Sequence, residues 1–205
     1  MHPTRGMIDD VDPIWLDRSI QIRPLKRFEF ERMVECGIFA ENDRVELLRG
    51  LLVAKEPQGP YHAGTAEVLH DRLHTLLAGR ARVRAHSPIA PAIPDDSEPE
   101  PDIAVVPLGG SVFEHPTTAL LVIEVSNTSL RVDRGVKASL YAEAGIPEYW
   151  IVSLPEGLVE VRDEPHSGEY RRLRTLRRGE SIAPSAFPDA VIAVSEILPP
   201  EPPRG

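Results

Sequence analysis

Apolar and polar positions change their period several times along the chain, and each change marks an element. From Leu25 to Cys36 the apolar residues Leu25, Phe28, Met33 and Cys36 recur at helical spacing, and Gly37 stands where a helix ends. This predicts a first helix with Cys36 packed in the core or half-buried. Val45–Leu48 and Leu51–Ala54 flank Arg49-Gly50, a turn-compatible pair, and read as a hairpin whose first strand carries one carboxylate, Glu46. A second helix is expected from about His62 to Leu77, with Ala66, Leu69, Leu73, Leu76 and Leu77 as its core face and Gly79 at its end. Two extended segments follow, Arg82 to His86 and Ile89 to Ile93.

Beyond the acidic, proline-rich loop PDDSEPEP, DIAVVP and ALLVIEVS read as buried strands at the centre of a sheet. A third helix is predicted from about Asp133 to Ala144, closed by Gly145 and Pro147, and the strand EYWIVS follows. GLVEVRD and EYRRLRTL form a second hairpin, with a last short strand near Ala190 to Val194. The pattern is that of an α/β (α+β) fold, a mixed sheet flanked by helices, without internal repeats. Residues 1–20 and the tail PPEPPRG, rich in proline and charge, are expected to be loosely ordered around one domain at 21–198.

Composition narrows the class. A chain of 205 residues with 41% hydrophobic and 27% charged residues suits one soluble globular domain, and no apolar run approaches the roughly 20 residues of a membrane helix. The N-terminal stretch MHPTRGMIDDVDPIW lacks a secretory pattern, so a cytoplasmic location is expected. The single cysteine, Cys36, allows no intrachain disulfide and suggests no zinc site. A net charge of −9 weighs against broad attachment to nucleic acid, although Arg171, Arg172, Arg174, Arg177 and Arg178 are dense enough to form a basic stripe or a solvated hairpin face. The seven histidines form no HExxH pattern, and no GxxxxGK phosphate loop is present.

The strongest local anomaly is Glu124, a carboxylate inside ALLVIEVS, where an unpaired buried charge is costly. Strand alternation places Leu120, Val122, Glu124 and Ser126 on one face and Leu121, Ile123 and Val125 on the other. If DIAVVP pairs antiparallel with this strand, Asp102 at its start becomes a neighbour of Glu124. Two adjacent carboxylates repel unless a proton or cation sits between them, and hard oxygen ligands suit magnesium or manganese. Lys137 lies on the following helix, one turn from Asp133 and Tyr141. An ammonium there orients or deprotonates a water beside a phosphate; the competing reading is a surface ion pair with Asp133.

The segments PEPDIAVV, LLVIEVSNTS and DRGVKASLYAEAGIPEYWIV, in this order, resemble the Uma2 family of predicted endonucleases, a branch of the PD-(D/E)XK nuclease superfamily. The likeness extends from KRFEFERMVECGI and NDRVELLRGLLV to FPDAVIAVSEIL. It implies a restriction endonuclease-like fold and hydrolysis of DNA phosphodiester bonds with Mg2+ or Mn2+. In that pattern Asp102 and Glu124 hold the metal with the backbone carbonyl of Val125, while Glu46 holds a second ion or a metal-bound water. The lysine ordinarily stands two residues after the glutamate, where this chain has Ser126; the matching position is Lys137, on the next helix, set to position the nucleophile.

Other candidates have two readings. His62 is either a pocket residue or a satisfied structural histidine. Ser126 and Asn127 either hydrogen-bond the site or form a turn. Tyr149 and Trp150 are read as core packing. The expected activity is that of a metal-dependent endonuclease on DNA, with a homodimer as one way to cut both strands. The alternatives are a noncatalytic nuclease-fold module that binds protein or nucleic acid, and a phosphodiesterase acting on RNA or a nucleotide-containing small molecule.

Overall fold

In the computed structural model, residues 19, 21–40, 43–55 and 57–200 are described. The expected loosely ordered termini lie almost wholly outside that range. The first helix, α1, is Arg27–Glu35, its N-terminal amide at Lys26 capped by Glu29 Oε2 at 2.9 Å. Its buried residue is Phe30, whereas Phe28 is exposed, and so is Cys36, against the expectation of packing there. The helix lies at the rim and buries a narrower stripe than the apolar spacing implies. The hairpin forms as read, with β1 (Val45–Leu48) and β2 (Leu51–Ala54) joined by Arg49 and Gly50, both at positive φ, the geometry that matches strand twist.

Helix α2 (Pro60–Leu76) starts on a proline in its first turn, where a missing N–H costs nothing. Leu69, Leu73 and Leu77 are fully buried, but Leu76 turns to the surface. Strands β3 (Ala81–Ala85), β4 (Ile103–Pro107), β5 (Leu121–Ser126), β6 (Glu148–Ser153), β7 (Leu158–His166) and β8 (Glu169–Arg177) build the central sheet in chain order. Ile89 to Ile93 is not a strand: Ile89 and Ala90 are buried in an irregular segment, and Ile93 is exposed. Ile89 packs in the apolar layer on one face of the sheet, and the run does not join its ladder.

Neighbouring strands are antiparallel except β5 and β6, which are parallel. A parallel pair needs a crossover, and here it is helical. It begins with α3 (Leu130–Val132), widens into a π turn at Asp133–Lys137 and ends as α4 (Ala138–Glu143), starting three residues before the predicted helix. A short pair, β9 (Ser181–Ile182) with β10 (Ile192–Ala193), precedes α5 (Val194–Ile197). The predicted last strand corresponds to β10, shorter than expected.

Two apolar layers cover the sheet. On one face Ile103, Val105, Ile123, Val125, Trp150 and Val152 pack with α2 and α5. On the other, Ala104, Val122, Tyr149 and Ile151 pack with Leu140 and Tyr141 of α4 and with Leu48 of the hairpin. Trp150 and Tyr149 are fully buried, in accord with their reading as core. Burying a large apolar side chain contributes about 1.5–3 kcal/mol, so these layers fix the sheet ends that carry polar groups.

Candidate functional site

The register of β4 on β5 pairs Ile103 with Ile123 and Ala104 with Val122. Continuing it by one residue sets Asp102 opposite Glu124, the juxtaposition expected from the sequence. Asp102 Oδ2 accepts a hydrogen bond from the Val125 amide at 2.8 Å, which ties the two strands at the level of the carboxylates. Val122 packs in one layer and Ile123 and Val125 in the other, so alternation holds and Glu124 faces the helical crossover.

Lys137 is carried by the π turn onto that face. Its ammonium lies 3.0 Å from Glu124 Oε1 and 3.1 Å from Glu46 Oε1. Tyr141, one turn later, donates to the same Glu124 oxygen at 2.8 Å. Glu124 Oε2 takes no hydrogen bond among the described residues, in a side chain that lines a cavity of about 210 Å3. Glu46 is held from β1 by the Glu100 amide at 3.1 Å. Asp102, Glu124, Lys137 and Glu46 are between 3% and 5% exposed, and all four line this cavity with Val125.

Asp133 is not the surface partner of Lys137 that its i, i+4 spacing allows. It is buried, and its Oδ2 accepts from Ser126 Oγ at 2.5 Å and Ser129 Oγ at 2.6 Å. Ser126 therefore locks the crossover that presents the lysine. Nothing in the sequence pattern singles out this network beyond a polar residue at the strand end. Gln58, from the loop before α2, donates to Asp102 Oδ1 at 3.1 Å and was not legible in the sequence. His62 Nε2 lies 3.2 Å from Asp102 Oδ2, and its Nδ1 is buried without a hydrogen-bond partner, so the pocket reading of this histidine holds. Tyr149 donates to the Asp133 carbonyl from the core.

The charges follow from burial and proximity. Glu124 is pushed up to about 8 by burial and by the carboxylates of Asp133, Asp102 and Glu46, with Lys137 pulling the other way. Burial disfavours the Lys137 ammonium, but Glu124, Glu46 and Asp133 outweigh it and hold the group above the ordinary lysine range. Lys137 is thus a cationic donor in this arrangement rather than a ready base. Burial also raises Asp102, yet the His62 ring, the Val125 amide and Lys55 together hold it below the usual carboxylate value. Burial lowers His86, with Asp102, whose Oδ1 is 3.6 Å from its Nδ1, pulling the other way.

The donor set fits a hard cation in kind: four carboxylates, Glu46, Asp102, Glu124 and Asp133, against Lys55 and Lys137 around one small cavity. Among the described residues no three acidic, histidine or cysteine groups surround one point. A hard cation there would complete its shell with water or substrate oxygens. Also among the described residues, no helix is long and apolar enough to cross a membrane.

A crystal structure of a putative nuclease belonging to DUF820 from Anabaena variabilis ATCC 29413 has the same fold. The two superpose with a TM-score of 0.66 over 85% of this chain and 97% of that one, at 15% identity. No curated protein matches the sequence. The model of the Uma2 family, described as putative restriction endonuclease, matches residues 28–195, and the chain belongs to that family.

Proposed function

We propose that this chain is a metal-dependent endonuclease that hydrolyses DNA phosphodiester bonds in the cavity between β4, β5 and the helical crossover. The observation that carries the reading is the convergence of Asp102, Glu124 and Lys137 on one buried cavity from three separate elements. Asp102 and Glu124, with the Val125 carbonyl, are assigned to hold magnesium or manganese, and Glu46 to hold a second ion or a water. When bound, such an ion polarises the phosphodiester and lowers the pKa of water at the site.

The chain's own groups do the positioning. Lys137 and Tyr141 grip one oxygen of Glu124 and leave the other for the cation. The Lys137 ammonium orients the attacking water and offsets negative charge as it grows on the phosphate. Val125 and Gln58 fix the Asp102 carboxylate, so it need not reorganise during the reaction. The test is magnesium-dependent nicking of plasmid DNA by wild type and Asp102→Asn, with circular dichroism on both. The substitution is expected to abolish nicking with the fold intact; equal cleavage by the two proteins rejects the assignment.

A further inference from the structure

A second cavity, of about 680 Å3, adjoins the first. Its lining includes Tyr61, Asn127, Glu156, Arg177 and Arg178, and Asn127 lines both cavities. The divide falls at the start of α2, where His62 faces the acidic cavity and Tyr61 the second one. The two spaces are chemically opposite. The first gathers four carboxylates. In the second the one carboxylate is Glu156, and Arg134 engages it through both guanidinium ends, Nη1 to Oε1 at 3.0 Å and Nη2 to Oε2. Arg177 then supplies the cationic group of the wall. Arg178 donates to the Pro199 carbonyl, and Arg177 is exposed, close enough to help hold Glu156 below the usual carboxylate range but with its guanidinium in no direct ion pair among the described residues.

Tyr61, which lines this cavity, is 67% exposed, so its aromatic ring is open to solvent. The Asn127 carboxamide makes no hydrogen bond among the described residues, so both its donor and acceptor ends are available at the shared wall. A cavity suited to a cation thus shares a wall with one suited to an anion and a flat π-system. A nucleic-acid strand offers that combination at every step, since each phosphate carries charge and each base a face for stacking. A strand cut in the first cavity must also leave it on both sides of the scissile bond, and the neighbouring cavity that shares Asn127 lies beside it.

We propose that the second cavity is the subsite for the nucleotide next to the scissile bond, with Tyr61 stacking on its base and Arg177 and Asn127 meeting its phosphate. The assignment rests on the nuclease reading of the first cavity and names how that site holds its substrate. Nothing is required of the carboxylates, so the subsite binds without a divalent cation.

The experiment measures fluorescence anisotropy of a labelled single-stranded oligodeoxynucleotide in EDTA, with the full chain as wild type, Arg177→Gln and Tyr61→Ala. Arg171→Gln serves as a control, exposed on the same strand but outside the cavity. Both cavity variants are expected to raise Kd about tenfold, and the control by less than about twofold. The replaced side chains are on the surface, and circular dichroism verifies the fold. Equal losses for Arg177→Gln and Arg171→Gln, no loss in either cavity variant, or no binding by wild type would each overturn the subsite. Cleavage with magnesium is followed separately on the same proteins. Cavity-dependent binding without any cutting removes the nuclease reading and leaves a nucleotide site. Cutting with unchanged KM in both cavity variants removes the subsite and leaves the nuclease; a raised KM at constant kcat is the expected result.

Discussion

Lys137 is a buried ammonium between two buried carboxylates, and breaking such a set is costly because charge remains behind without a partner. Lys137→Met is expected to lose about 3 kcal/mol of stability at pH 8, whereas Tyr141→Phe, which removes one hydrogen bond to Glu124, loses about 1 kcal/mol. Urea unfolding at fixed pH checks both, and a Lys137→Met protein as stable as wild type would contradict the buried triad. Glu124 was legible in the sequence because a carboxylate in an apolar strand demands compensation, and Asp102 because antiparallel pairing brings the strand ends together. Lys137 was legible through family resemblance more than through pattern, since its spacing from Asp133 equally describes a surface pair. Gln58 gave no signal: a loop amide acquires its role only when the chain around it closes.

At the scale of elements, the hairpin β1–β2 shows how little tolerance a turn can have. Gly50 has φ of +76°, and a Cβ there would come within 2.3 Å of Pro24 Cβ and 2.8 Å of its Cα. Gly50→Ala is expected to cost about 2 kcal/mol or more, from the left-handed backbone together with the clash, read as a lowered urea midpoint. Glu46 sits on this hairpin, so the loss reaches the site. The turn was readable from Arg49-Gly50, as were the two central strands from their apolar runs. Ile89 to Ile93 misled because burial, not pairing, explains its apolar character. The β9 strand escaped notice because two residues leave no periodicity to read, and the π turn did so because its register differs from an α-helix only locally.

Across the whole molecule, acid and base are distributed by pairing rather than by net charge. Two of the stripe arginines, Arg172 and Arg174, lie against the buried Asp163, at 2.5 and 3.5 Å, so the stripe is partly a hairpin face stabilised from within. Elsewhere the packing of α1 against the rest of the chain leaves Glu98 buried near Glu31, with Oε2 lacking a hydrogen-bond partner. Burial and the Glu31 charge push Glu98 up to about 7, against Arg27 and from an ordinary value of 4.5. The native state then binds the extra proton between these values. The contribution of Glu98 to stability therefore falls as pH rises from 4.5 to about 7 and is constant outside that window. Glu98→Gln is expected to remove this share of the decline and to gain on the order of 2 kcal/mol over wild type at pH 8, with no gain at pH 4. Urea unfolding at the two pH values measures the difference; an equal effect at both would rule out the buried carboxyl as its source.

The antiparallel run from β4 into β5 also sends the connecting loop, residues 108–120, to the sheet end remote from Asp102 and Glu124. A five-residue strand spans about 17 Å between the start of that loop and the carboxylates, and Phe113 within the loop stands 96% exposed. The molecule therefore has a natural splice point: an affinity peptide or fluorescent label inserted there would leave both strand-end carboxylates in register, and evolution can lengthen that bend while the reactive end keeps its spacing.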